Sequence, residues 1–360
     1  MTILKRTIED NINKYLKSRE AKTLFIWGPR RSGKTTLIDK LARELRVTKY
    51  NFDLESDREK FAPRRDVLER IVSEHKVVLI DEVQNYPEAT VMLKLLHDEF
   101  GVKVIATGSS ELRQKSSKEF DTMAGRFNEI YCLPLSIFEI LDNEKPKSSD
   151  KEEFNKQLAK KLQIFGAYPE VYTRDNLSEK DRIDLLQRML DAYVLKDVIS
   201  IYDLKNTRLA KDILTKIALQ LGSEVYILIS LPSFKTNIRK AVSKNRKLYF
   251  YDLGIRNILI QDFRDLELRQ DKGGVFENFI ISELEKTRRL TNAKVNMYFY
   301  REYGGKEVDG IVEDYKKNYT AIEIKTKGGA AKKIFPLPNI SEVITTQNYL
   351  EKIADILKGK

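Results

Sequence analysis

Gly28-Pro29-Arg30-Arg31-Ser32-Gly33-Lys34-Thr35-Thr36 is a complete G-x-x-x-x-G-K-[ST] pattern. The apolar run Leu24-Phe25-Ile26-Trp27 precedes it, and a helical pattern begins at Thr35. Only a glycine-bearing turn lets main-chain N–H groups wrap phosphates closely, and the helix N-terminus that follows adds a favourable partial charge. Strand, turn and helix in this order read as a phosphate-binding loop for ATP. Lys34 is expected to reach the β- and γ-phosphates and Thr35 to ligate Mg²⁺.

Working outward, Ile8, Ile12, Tyr15 and Leu16 space an amphipathic helix within residues 3–20, packed against the nucleotide domain. After the loop helix, residues 35–45, come a strand at 47–54 and a charged helix at 57–74. The chain then runs Val77-Val78-Leu79-Ile80-Asp81-Glu82, a strand apolar on both faces and closed by two carboxylates. The C-terminal ends of such strands are where doubly wound sheets hold ligands. Asp81 is expected to hold the Mg²⁺ shell and Glu82 to activate the attacking water, against the alternative of ordinary surface acids. A second strand between the loop strand and this acidic strand suits the additional-strand class of P-loop NTPase.

A further strand, residues 102–107, leads to Gly108-Ser109-Ser110 beside the acidic pair. Thr107 or Ser109 reads as a γ-phosphate sensor, or Ser109-Ser110 as a helix cap or turn. Arg126, ahead of a last strand at 128–133, reads either as a γ-phosphate stabiliser, in its own subunit or a neighbour's, or as a salt-bridge residue.

Composition sets limits on this reading. A chain of 360 residues holds two or three domains of roughly 100–200 residues each. The formal charge of +11 allows a polyanionic partner without demanding one. Cys132 is the only cysteine, so no internal disulfide exists, which fits a reducing cytoplasm. No apolar run approaches the ~18–20 residues of a membrane span, so a soluble, cytoplasmic protein is expected. His75 and His97 are the only histidines and stand outside the motifs, leaving neither a zinc site nor a Ser-His-Asp triad.

In the C-terminal third, Glu277 lies on a helical pattern, Asp309 on a strand at 307–312, and Glu323-Ile324-Lys325 on a returning strand at 319–326. Strand alternation turns Glu323 and Lys325 to one face. Asp309 and Glu323 holding Mg²⁺, with Lys325 positioning water and Glu277 in support, fit metal-assisted phosphodiester hydrolysis and resemble a PD-(D/E)XK nuclease core. The alternative is a charged solvent face on a hairpin. Glu307 shares the face of Asp309, so the ligand set is not unique.

GPRRSGKTT, VVLIDEVQ, IATGSS, MAGRFNEIYCLPLSIFEI, FGAYPEV, GGVFENFIISEL, EVDGIV and AIEIKT together resemble the prokaryotic AAA-superfamily ATPases with a C-terminal nuclease-like domain of unknown function. The resemblance implies phosphate binding on Gly28 to Thr36, an acidic pair at Asp81-Glu82 and a polar sensor within Thr107 to Ser109. It sets Gln84 near the nucleotide or its sensor, with a surface glutamine as the alternative. It also implies a winged helix in the middle region. Between Gly222 and the strand at 248–251, too few residues remain for two helices and a wing, so a shortened remnant is expected.

The α/β architecture expected is thus an AAA-type parallel-sheet domain over residues 1–142, a linker and helical, winged-helix-like middle region over 143–250, and a restriction-endonuclease-like α/β module over 251–360. The basic string Lys235, Arg239, Lys240, Lys244, Arg246 and Lys247 could grip nucleic-acid phosphates or simply be solvated. Tyrosines at 249–251 and 298–300 would stack on bases only if exposed. The functional expectation is an enzyme that hydrolyses Mg²⁺-ATP and couples this to the C-terminal module. The alternatives are a nucleotide-gated nuclease, and a switch or scaffold with little turnover that orders a protein partner or further copies of itself.

Overall fold

In the computed structural model the chain is described except at residues 1–3, 75, 110–121, 175, 195–206, 220–227, 236–245, 303–304, 332 and 359–360. His75, Ser110, Arg239, Lys240 and Lys244 lie outside the described residues. The chain divides into two compact units. One spans Lys5–Leu133; the other takes in Pro134–Lys196 and Lys205–Lys360.

The first unit is built on a five-stranded sheet. Its strands are β1 (Thr23–Trp27), β2 (Lys49–Asn51), β3 (Val77–Asp81), β4 (Lys103–Gly108) and β5 (Phe127–Tyr131), in the order β2-β3-β4-β1-β5. Every pairing is parallel. β1 is buried along its whole length, as an apolar strand covered on both faces must be. The strand inserted between β1 and the acidic β3 is β4. The strand expected at 47–54 shrinks to β2 at the sheet edge. The helix expected at 57–74 breaks into Glu55–Glu59 and Arg65–Glu74 around Pro63, whose ring cannot continue a helix interior. The helix Ile8–Lys17 turns Ile8, Ile12 and Tyr15 inward, the i, i+4, i+7 spacing of one apolar stripe.

In the second unit, helices Ile137–Glu144 and Lys151–Phe165 flank the exposed stretch that was read as a linker. β6 (Leu228–Pro232) pairs antiparallel with β7 (Arg246–Phe250). β8 (Val295–Arg301), β9 (Glu307–Asp314), β10 (Tyr319–Ile324) and β11 (Ile340–Ile344) form a mixed sheet in the order β11-β10-β9-β8. Only the β10–β11 pairing is parallel.

The boundary expected at 250/251 falls just behind β7, which with β6 forms a two-stranded sheet of its own. Ser233, directly after β6, bridges to Phe299 on β8. Phe234 packs with Val308, Ile311, Ala321 and Phe335 in the core beneath that sheet. Tyr249 and Tyr251 are buried, and Tyr298 and Tyr300 pack against the Phe234 cluster, so none of these rings is a free base-stacking platform. No described helix is long and apolar enough to cross a membrane.

Candidate functional site

The loop expected to hold phosphates turns directly off β1. A Cβ at Gly28 would lie 1.9 Å from the carbonyl oxygen of Cys132, so only glycine fits there. Cys132 N–H in turn donates to the Trp27 carbonyl at 2.7 Å, tying the loop's first residue to the chain leaving β5. Gly33 adopts φ 100°, a left-handed conformation that glycine takes without strain, and opens the helix Lys34–Leu45. Lys34 is buried, and its Nζ donates to the Gly28 and Pro29 carbonyls at 2.8 and 3.0 Å. Pro29 is buried with the loop, Arg30 is half-buried, and Arg31, Thr35 and Thr36 are exposed.

Arg6, which no motif marked, is buried under the loop. It donates to the Ser32 carbonyl at 2.8 Å and to the Leu133 carbonyl at 2.7 Å. An isolated arginine ahead of an amphipathic helix carries no sequence signal for such a role; the contact exists only once β5 lies beside β1.

Across β4, Asp81 is 2% exposed and accepts from the Thr107 hydroxyl. Its second oxygen lies 3.9 Å from Lys49 Nζ, which is held by Asp39 of the loop helix at 2.5 Å. Glu82 N–H points to Thr107 Oγ1 at 3.3 Å. Thr107 thus has its proton committed to Asp81, whereas the buried hydroxyls of Ser109 and Ser32 have no hydrogen-bond partner among the described residues. Glu82 takes φ 54°, and its carboxylate accepts from the Gln84 amide. Gln84 Oε1 accepts from Ser109 N–H at 3.3 Å.

Two buried hydroxyls without partners, a buried lysine and a helix start suit a bound polyphosphate. The hard oxygen donors of Thr35 and Asp81 suit Mg²⁺.

Arg126 is not brought to this place in its own chain. Its carbonyl accepts from Thr23 N–H at the start of β1, the sheet end opposite the loop. Its guanidinium pairs with Asp98 at 2.7 Å, the salt-bridge alternative. Arg126, seconded by His97, holds the Asp98 carboxyl down at about 2.

In the second unit, carboxylate oxygens of Glu277, Glu307 and Asp309 all lie within 4.8 Å of one another. Glu277 comes from the long helix Lys272–Thr291, and the other two come from β9. The β8–β9 register slips between Tyr298/Ile311 and Tyr300/Val308, leaving Asp309 and Gly310 together opposite Phe299. A bulge of this kind re-aims the side chain it carries. Asp309 Oδ2 accepts from Ile324 N–H at 2.8 Å. Burial, with the Glu277 charge beside it, pushes the Asp309 carboxyl up to about 6.

Glu323 is buried at the β10 position that faces Asp309 when the ladder is continued from Ile322↔Gly310, but it is not one of the three converging residues. Lys325 follows β10 directly: its N–H donates to the Ile344 carbonyl of β11 at 2.9 Å, and its Nζ donates to the Ala330 carbonyl at 2.6 Å. The lysine among the acids is Lys247 of β7, 3.0 Å from Glu277 and paired with Glu307. Burial opposes its charge, but the two carboxylates outweigh it and raise its pKa. Lys247 therefore leaves the basic string read as phosphate-gripping. Tyr249 donates to the same Glu277 oxygen at 2.6 Å.

Residues 20–141 match the AAA domain family model, and residues 272–337 match that of a domain of unknown function (DUF4143). No curated protein matches the chain. Among solved structures, the Hsp104-ADP complex of S. cerevisiae is similar at 16% identity and TM-score 0.32, over 81% of this chain and 44% of that one. Pif1 helicase from Bacteroides, in complex with ADP-AlF3 and ssDNA, is similar at 15% identity and TM-score 0.27, over 66% and 62%. This chain spans less than two thirds of the length of either. The family match over residues 20–141 and the parallel β2-β3-β4-β1-β5 order both agree with a parallel-sheet α/β P-loop fold for the first unit.

Proposed function

We propose that the protein binds Mg²⁺-ATP at the loop between β1 and the helix Lys34–Leu45 and hydrolyses it. The observation that carries this is the insertion of β4 between β1 and β3, which sets Asp81 and Glu82 one strand away from the loop with Ser109 beside them. Loop N–H groups from Gly28 to Thr36 and the Lys34 ammonium hold the phosphates. Thr35 and Asp81 are the residues that would hold Mg²⁺, which supplies positive charge to the β- and γ-phosphate oxygens. Glu82 takes a proton from water as the water oxygen bonds to the γ-phosphorus and the bond to the β-phosphate oxygen breaks. Ser109 Oγ is free to contact the γ-phosphate, and Thr107 orients Asp81.

The test is steady-state phosphate release by the wild type, Lys34→Ala and Glu82→Gln, each with and without double-stranded DNA. Turnover by the wild type that either substitution abolishes supports hydrolysis, and stimulation by DNA identifies a nucleic-acid partner. ATP binding with negligible turnover in every reaction rejects hydrolysis and leaves a nucleotide-dependent switch or scaffold. Lys34→Ala is expected to weaken ATP binding by about 10–100-fold, the worth of a charge-assisted contact.

A second reading applies to the other unit. The convergence of Glu277, Glu307 and Asp309 on one point favours metal-assisted phosphodiester hydrolysis, gated by the nucleotide. Hard carboxylate oxygens suit Mg²⁺ or Mn²⁺. Nicking of supercoiled plasmid that needs the divalent ion and is lost in Asp309→Asn supports it; no nicking under any nucleotide condition rejects it.

A further inference from the structure

We infer that Gln84 is a positioning residue for ATP hydrolysis: its side-chain amide ties the Glu82 carboxylate to the backbone of Ser109, holding the general base at the end of β4. The inference rests on the hydrolysis reading above and gives definite partners to a residue that the resemblance sets only near the nucleotide or its sensor.

A glutamine side chain presents a donor and an acceptor on one rigid amide, and both are used here. Gln84 Nε2 donates to Glu82 Oε2, and Gln84 Oε1 accepts from Ser109 N–H at 3.3 Å. Glu82 is the first residue beyond β3, and Ser109 the first beyond β4. The amide therefore spans the ends of two neighbouring strands at the point where the acidic pair and the partnerless Ser109 hydroxyl meet.

The backbone on both sides is shaped for this contact. Glu82 adopts φ 54°, a left-handed conformation costing a non-glycine residue on the order of 1 kcal/mol. The short 3-10 turn Val83–Asn85 follows at once, and together they bring residues two apart in sequence face to face. On the other side, a Cβ at Gly108 would lie 2.8 Å from Gln84 Oε1 and 2.8 Å from the Trp27 ring. A glycine at this position is what admits the amide to Ser109 N–H. A surface glutamine would need neither feature.

Leucine at position 84 keeps approximate size and loses both hydrogen bonds. Glutamate keeps the acceptor, loses the donor and sets a second carboxylate beside the first. For Gln84→Leu we expect kcat to fall at least about tenfold with KM for ATP within about twofold, since the contact orients the base and not the nucleotide. For Gln84→Glu, which loses the donor to Glu82, kcat falls as in Gln84→Leu with KM for ATP little changed. Gln84→Asn, too short to span both partners, falls with Gln84→Leu.

Wild-type kcat in Gln84→Leu, or a raised KM for ATP with kcat unmoved in either variant, overturns the positioning role while leaving hydrolysis intact. Absence of turnover in the wild type itself overturns the hydrolysis reading, and this role falls with it. The wild-type and Glu82→Gln controls, run in the same series, separate the two failures.

Discussion

Gly28 shows how much a single position can decide. Its missing side chain admits the Cys132 carbonyl to within 1.9 Å of where a Cβ would stand, so the phosphate loop is packed from behind by the chain leaving β5. Gly28→Ala is therefore expected to lower stability by about 2–3 kcal/mol through overpacking, measured by urea unfolding. Arg126 gives the opposite expectation. With its guanidinium on Asp98 and its backbone at the far end of the sheet, Arg126→Ala leaves ATP affinity unchanged in calorimetric titration. Gly28, Gly33, Lys34 and the Asp81-Glu82 pair were legible because each residue type answers a local requirement: close approach, left-handed φ, charge. Arg6 and Lys247 were not, because their partners come from segments distant in sequence, and a cation in a string of cations looks the same whether it faces solvent or two half-buried carboxylates.

At the scale of elements, the second unit depends on what its long helix buries. Glu283, 1% exposed, accepts from Ile137 N–H at 2.7 Å and pairs with Lys286, which donates to the Leu135 carbonyl at 3.1 Å. Glu283→Ala leaves a buried lysine and a buried amide uncompensated, an expected loss of about 3 kcal/mol in chemical unfolding. At the start of the same helix, buried Arg269 donates to both carboxylate oxygens of Asp271 at 2.9 Å, and Arg256 adds a contact at 2.7 Å. Arg269 first, then Arg256, holds the Asp271 carboxyl well below the usual carboxylate range. The stabilisation is fully present above the unfolded carboxylate's value of about 4 and is lost as pH falls below it toward the depressed folded value. Asp271→Asn should thus lower Tm at pH 7, with the gap from wild type closing below about pH 3. Strands and their apolar faces were readable from alternation, but the β9 bulge was not. It is set by the pairing of β8 with β9, and it decides where Asp309 points. The contact of Lys325 Nζ with the Ala330 carbonyl was not readable either, because it depends on the turn that follows β10.

For the whole molecule, the division after Leu133 separates the unit that matches the AAA domain model from a unit with a different sheet and a different cluster of charges. If hydrolysis gates the second unit, Lys34→Ala abolishes the ATP dependence of plasmid nicking while metal-dependent nicking by the other unit persists, which an agarose gel assay reads directly. Among the 360 residues there is one tryptophan, Trp27, and it stands immediately before the phosphate loop. Its ring is fully buried, stacked on Phe25 at 4.8 Å between centroids, with its indole N–H donated to Glu129 at 2.7 Å. Its emission is therefore a label-free optical signal from a single place, and a nucleotide that moves Gly28 changes it without any added dye. The same signal is blind to the unit that begins at Pro134. Melting followed by indole emission reports the first unit alone, while far-ultraviolet circular dichroism reports both, so any gap between the two curves measures how independently the two halves of the chain come apart.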